Sequence, residues 1–325
     1  MDRQAGTRAD RDGRMATPIQ NLGVYGKNRL WMKREDLLPF SFGGNKARKA
    51  GLFFREIREG GYDCVVTYGT SSSNHCRVVS NLCASRGLPC FIISPAEKSG
   101  QTFNRIMMEL FQAKVTRAPV AEVHDVIGKK LEELRLAGYK PYFIEGGGHG
   151  NLGTEAYVQC FREIERFEEV RGIHFDSIFL ASGTGTTQAG LVCGNLLSQG
   201  SRRVVGISIA RKNPRGRDVV VDSVRSYLSA IGWDVPEPVV KDAVVFVDDY
   251  TGGGYGSGME GVKDAVSDVV RMVLRVYGIP LDGTYTGKAF YGMMDYMKRM
   301  DIRDEDVLFL HTGGMPLFFD GLSEM

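Results

Sequence analysis

Apolar residues fall along this chain in short runs. CVVTY (64–68), CFIIS (90–94), PYFIE (141–145), SIFLA (177–181), RVVGISIA (203–210), AVVFV (243–247) and DVLFLH (306–311) are of strand length and rich in β-branched or aromatic residues. KVTRA (114–118) is a more polar strand candidate. Helical spacing runs over about 74–85, 102–112, 123–137 and 154–169, and again from the glycine/threonine loop after 181 to about 197. Short apolar strands alternating with helices predict an α/β fold with parallel sheets covered on both faces. Ligands in such folds bind beyond the carboxyl ends of the strands. The loops after 68, 145, 181, 247 and 311 are therefore where chemistry is expected.

Glycine sharpens that expectation. Its 41 residues cluster at 43–44, 146–150, 183–190, 252–258 and 313–314, and four of these five clusters lie in the expected loops. A length of 325 residues accommodates two lobes or one large α/β domain. The net charge of +2 gives no electrostatic case for nucleic acid or an anionic membrane. No apolar run reaches membrane-span length, and residues 1–16 form a polar tail without a secretory pattern. The six cysteines include no CxxC pair, so reduced thiols and a cytoplasmic chain are expected. Histidines and cysteines lack metal-ligand spacing, so no metal is expected.

Three polar stretches carry candidate chemistry. ASGTGTTQAG (181–190) follows an apolar strand and opens a helix, an arrangement suited to a phosphate held by backbone N–H groups and the hydroxyls of Thr184, Thr186 and Thr187. It is neither a Walker A loop nor a full GxGxxG, and a plain strand–helix turn with a threonine cap is the other reading. GTSSSNHCR (69–77) places Ser73 and Asn74 at a second helix mouth, where a simple N-cap is again the alternative. His75 reads as structural. SFGGNKARKA (41–50) holds Lys46, either a solvated charge or a nucleophile, with Arg48 and Lys49 close behind.

MKREDLLPFSFGGNKARK, TSSSNH, EGGGHGNLGTEAY, SGTGTTQAGL, YGSGMEG, LDGTYTGKAFYGM and LHTGG occur in that order. Together they resemble the D-cysteine desulfhydrase and aminocyclopropane-carboxylate deaminase family, pyridoxal-phosphate enzymes of the tryptophan-synthase β-subunit fold type. The resemblance runs from about Thr17 to the end of the chain. It implies fold type II: two open parallel-sheet lobes with pyridoxal 5'-phosphate in the cleft between them. The smaller lobe would be an insertion, residues 49–158, and the larger residues 1–48 with 159–325. A homodimer is implied by the resemblance alone.

The resemblance also assigns roles. Lys46 matches the lysine that forms the Schiff base with the cofactor. Asn74 matches the asparagine on the cofactor's 3-hydroxyl. Gly183, Thr184, Gly185, Thr186 and Thr187 match the phosphate cup. Thr312 matches a residue near the pyridine nitrogen, and Thr286 joins the cofactor-binding set. Ser73, Tyr255 and Tyr285 match catalytic positions around the substrate. Ring-opening deaminases carry Tyr-Glu before Gly-Lys, whereas this chain has Tyr285-Thr286-Gly287-Lys288. That pair, with Asn74-His75, resembles the desulfhydrases. The implied reaction is α,β-elimination of a small amino acid such as D-cysteine to pyruvate, ammonia and sulfide. The glycine-rich DDYTGGGYGSGMEGV (248–262) and Gly283-Thr284 depart from the family pattern on the substrate side, so β- or γ-replacement and deamination also stand. A non-enzymatic phosphate-binding α/β protein is the reading without the resemblance.

Overall fold

The computed structural model describes residues 16–96, 100–251 and 262–322. Strands β1 (Ile19–Tyr25) and β2 (Asn28–Arg34) form an antiparallel hairpin at the start. The chain continues through α1 (Asn45–Glu59), β3 (Cys64–Tyr68), α2 (Asn74–Ala84), β4 (Cys90–Pro95) and α3 (Phe103–Leu110). Then come β5 (Lys114–Ala118), α4 (Val123–Leu136) and β6 (Pro141–Ile144). Strands β3 to β6 make one parallel sheet in the order β5-β4-β3-β6.

Helix α5 (Asn151–Arg171) leads into β7 (Ser177–Ser182), α6 (Thr186–Leu197), β8 (Arg203–Ser208), α7 (Arg215–Ala230), α8 (Glu237–Ala243) and β9 (Val245–Val247). The described chain ends with α9 (Val262–Tyr277), α10 (Thr286–Arg299), β10 (Asp306–His311) and α11 (Met315–Gly321). The second sheet has the order β1-β2-β10-β7-β8-β9 and is parallel except at β1.

The fully apolar strand runs have a direct explanation. Side chains alternate across a strand. In β7 and β10, Ile178, Leu180, Leu308 and Leu310 join one buried cluster, while Phe179, Val307 and Phe309 join another on the opposite face. Helices α5, α6 and α7 cover the first face, and α9 and α10 the second.

The structure also differs from the pattern. The β1–β2 hairpin breaks the parallel rule, and periodicity did not mark it because Lys33 occupies a wholly buried position. Its ammonium donates to Glu163 Oε2 at 2.7 Å and to Thr17 Oγ1 at 2.8 Å. The strand expected at 243–247 is shorter, since Ala243 closes α8. Residues 209–210 leave β8 and turn toward the sheet's carboxyl edge.

Candidate active site

The carboxyl ends of β3, β6, β7, β8 and β10 meet at a cavity of about 560 Å³. Loops after 68, 145, 181 and 311 all line it, as expected, and so do Ile209, Ala210 and Arg211 beyond β8. Residues 248–251 do not line it. Tyr255 and the rest of the 252–258 glycine cluster lie outside the described residues.

Lys46 is the second residue of α1 and lines this cavity. Gly44 caps that helix with a positive φ of 91°, and a Cβ on Gly313 would lie 2.6 Å from Gly44 Cα. The two glycines let loop 43–45 press against the turn after β10, where Asn45 N–H donates to the Thr312 carbonyl at 2.9 Å. Lys46 Nζ donates to the Gly147 carbonyl at 2.9 Å. Burial pulls this ammonium down to about 8, against a weak opposing pull from the Cys76 side chain. A free amine is thus available near neutral pH, as a nucleophile or base requires.

Ser73 caps α2, its Oγ accepting from Cys76 N–H at 3.2 Å. Asn74 Oδ1 accepts from Asn104 Nδ2 at 3.0 Å, which leaves its NH2 group for a ligand in the cavity it lines. His75 also lines the cavity, but its Nε2 donates to Thr67 Oγ1 at 2.8 Å, and Thr67 donates on to the Ile144 carbonyl at 2.7 Å. Burial, then the charges of Lys46 and Lys49, hold His75 well below the usual histidine range. These bonds agree with the structural reading of His75.

The 183–187 loop is gripped by side chains from elsewhere. Arg211 Nη1 donates to the Gly183 carbonyl at 2.8 Å, Lys49 Nζ to Thr186 Oγ1 at 2.5 Å, and Asn45 Nδ2 to Thr187 Oγ1 at 3.1 Å. Gly185 caps α6 without a side-chain bond, so no cap occupies the N–H groups at the helix start. Lys49 is 1% exposed, and burial, then Lys46, push its ammonium well below the ordinary range. Sequence reasoning treated Lys49 only as a neighbouring charge. Its position three residues after Lys46, on the same helix face, was the available signal.

Of the residues singled out in the sequence, Lys46, Ser73, Asn74, Gly183, Thr184, Gly185, Thr187, Tyr285 and Thr312 line the one cavity. Thr186 does not, its hydroxyl being turned to Lys49. Thr286 needs correction as a cofactor contact. It is wholly buried, its hydroxyl donates to Asp282 Oδ2 at 2.8 Å and accepts from Asp282 N–H at 2.9 Å, and it does not line the cavity.

The metal-sized grouping of Glu35, Cys160 and Glu163 lies away from this cavity, behind α1. Arg48 and Lys33 already hold its carboxylates. Among the described residues no helix is long and apolar enough to cross a membrane.

Comparison with known proteins agrees with this geometry. A Pyrococcus abyssi protein, provisionally named 1-aminocyclopropane-1-carboxylate deaminase, is 32% identical across 95% of this chain and 92% of its own. A Yersinia enterocolitica protein named D-cysteine desulfhydrase is 30% identical across 94% of this chain and 93% of its own. The crystal structure of an ACC deaminase homologue superposes with a TM-score of 0.82 at 30% identity, covering 95% of this chain and 92% of that one. Residues 11–313 match the family described as pyridoxal-phosphate dependent enzyme, and the chain belongs to that family.

Proposed function

We propose that this chain is a lyase that eliminates the β-substituent of a small amino acid, with D-cysteine as substrate. One D-cysteine and one water would give pyruvate, ammonia and hydrogen sulfide. The observation that carries the reading is Lys46, an amine held at about 8 in a cavity that also contains an uncapped helix start.

The residues present suit pyridoxal phosphate. The α6 start, the hydroxyls of Thr184 and Thr187, and the Arg211 cation, all on the cavity wall, suit its phosphate. Among the described residues Arg211 has no carboxylate partner, so its charge is available to an anion. The NH2 of Asn74 suits a phenolic oxygen, and Thr312 offers the ring nitrogen a neutral hydroxyl. When bound, the cofactor supplies an electron sink for the pair left when a bond to the substrate's α-carbon breaks.

Lys46 holds the cofactor and then takes the substrate's α-proton, which its lowered pKa permits at neutral pH. Ser73 and Tyr285, both on the cavity wall, orient the substrate and handle the proton for the departing thiolate. Tyr255 is assigned to the same side on the sequence resemblance alone. The smaller lobe is taken as residues 49–158 and the larger as 1–48 with 159–325. A cytoplasmic homodimer completes the proposal.

Two relatives carry names for two substrates, and opening of the cyclopropane amino acid is the second reading, favoured by the Pyrococcus relative. Tyr285-Thr286, in place of Tyr-Glu, supports elimination from D-cysteine. The test is keto-acid formation from D-cysteine, L-cysteine, D-serine and the cyclopropane amino acid, with and without an added thiol. The expected protein is yellow, borohydride fixes its colour on Lys46, and D-cysteine gives pyruvate and sulfide. Turnover only with an added nucleophile would sink the lyase reading. A colourless protein unaffected by Lys46→Ala would sink the enzyme reading altogether.

A further inference from the structure

Asp282 lies in the turn before α10 and is 1% exposed. Its Oδ1 accepts the N–H groups of Thr284 at 2.9 Å and Tyr285 at 2.7 Å. Its Oδ2 accepts the N–H of Thr286 at 3.2 Å and the Thr286 hydroxyl at 2.8 Å. Every one of these four partners donates. A carboxylate can accept all four bonds, whereas a protonated carboxyl could place its hydrogen only on the Thr286 hydroxyl, the other three partners being N–H groups.

The same carboxylate touches a second active-site segment. Gly314 has a φ of 110°, and a Cβ there would overlap Asp282 Oδ2. The turn after β10, which brings Thr312 and Gly313 to the cavity, therefore packs directly on Asp282. His311 orients that turn from behind: its Nε2 donates to the Pro280 carbonyl at 2.9 Å and its Nδ1 accepts from Gly313 N–H at 3.2 Å. One buried anion thus joins the tyrosine on one cavity wall to the threonine turn on another.

We propose that Asp282 is a positioning residue for the reaction: its carboxylate, taking four hydrogen bonds and packed on Gly314, holds Tyr285 and the 312–314 turn in one arrangement. The inference rests on the reading of Tyr285 as a substrate-facing group. Burial works to raise the Asp282 carboxyl, the bonds from Thr286 and Thr284 and the charge of His311 oppose it, and the balance lies at about 6. The other charged groups facing it are few. Lys288 on α10 senses its charge, and Asp36 stands beyond His311, 3.9 Å from its Nδ1. None of them forms an ion pair with Asp282 among the described residues. Its charge state is therefore set by burial, opposed by the bonds from Thr286 and Thr284 and by His311.

The test uses the cofactor-loaded protein and four variants: Asp282→Asn, Thr286→Val, Thr286→Ser and Tyr285→Phe. The first readout is amide hydrogen exchange over 283–287 and 312–314 between pH 5 and 8, corrected for intrinsic rates. The expected result is protection of both segments in wild type that is lost in Asp282→Asn. The second readout is turnover. Asp282→Asn should lower kcat by about tenfold to a hundredfold with little change in KM. Combined with Tyr285→Phe, its cost should be smaller than the sum of the two single costs. Thr286→Val, which removes one donor to the carboxylate, should lower protection over 283–287, and Thr286→Ser should restore it. Unchanged exchange in Asp282→Asn, or full additivity with Tyr285→Phe, overturns the proposal. If the wild type turns over no amino acid, the lyase reading fails, and exchange alone then decides whether Asp282 holds the two segments.

Discussion

Arg77 lies one helical turn beyond Ser73 on α2, 1% exposed, and among the described residues neither Nε nor Nη1 has a hydrogen-bond partner. The Phe42 ring covers it at 5.6 Å, and burial alone pulls the guanidinium down to about 10. A buried cation without a counter-ion costs free energy that packing alone does not return. Arg77→Met, which keeps most of the volume, is expected to stabilise the protein by about 1 kcal/mol. Urea unfolding measures this, and a lower midpoint in the variant would contradict it. Among the cations of GGNKARK, the residues alone left Lys46 either a solvated charge or a nucleophile, and the family resemblance singled it out. Sequence reasoning could not separate Arg48 from Lys49, which are adjacent in sequence but point into different surroundings, one toward carboxylates and one toward Thr186. Thr286 was misread for a related reason: its true partner, Asp282, sits four residues earlier in a turn whose shape the sequence does not disclose.

Helix α1 carries Lys46 at one end and is tied down within its first turn. Arg48 bonds Glu35 after β2 and Glu163 on α5, while Lys33 on β2 reaches Glu163 at 2.7 Å. Burial alone would raise the Glu35 carboxyl, but Arg48, with help from Lys33 and Thr17, outweighs it and holds the group at about 2. Arg48→Met removes one cation and leaves two carboxylates facing Lys33 alone. The expected loss is about 3 kcal/mol of stability, read as a lower urea midpoint with unchanged slope. A loss below about 0.5 kcal/mol would mean that the network contributes no more than surface pairs do. The same network explains what the pattern concealed. Parallel strands were legible because both faces are apolar, whereas β2 places charges inside and was missed. Helices α7 and α9 were missed because their valines resemble strand composition, although in α9 Val266, Val269, Val270 and Val273 are buried at helical spacing.

Across the whole molecule, groups behind the site and groups within it respond to pH in opposite directions. Glu35 titrates lower in the folded protein than in the unfolded chain, from 4.5 to about 2. Its stabilising contribution is therefore complete above about pH 4.5 and is lost as pH falls toward 2. Asp282 titrates higher, 3.8 becoming about 6. The folded state then binds the proton more tightly, so the contribution is present below about pH 4 and is lost as pH rises through 6. The shift corresponds to about 3 kcal/mol. Lys46 follows the same logic on the basic side. Its ammonium is disfavoured by folding, so stability is recovered as pH rises from about 8 toward 10.5. The neutral range in which Lys46 and Asp282 serve the proposed chemistry is thus the range in which both cost stability. Asp282 should therefore contribute a decline in stability between about pH 4 and 7, while buried His75, held well below its usual range, contributes in the opposite sense. Thermal unfolding from pH 4 to 8, wild type beside Asp282→Asn, tests this. The variant should be offset by its lost hydrogen bonds at every pH, yet lack the decline between pH 4 and 7. Parallel curves for the two proteins would show that Asp282 does not titrate in that window.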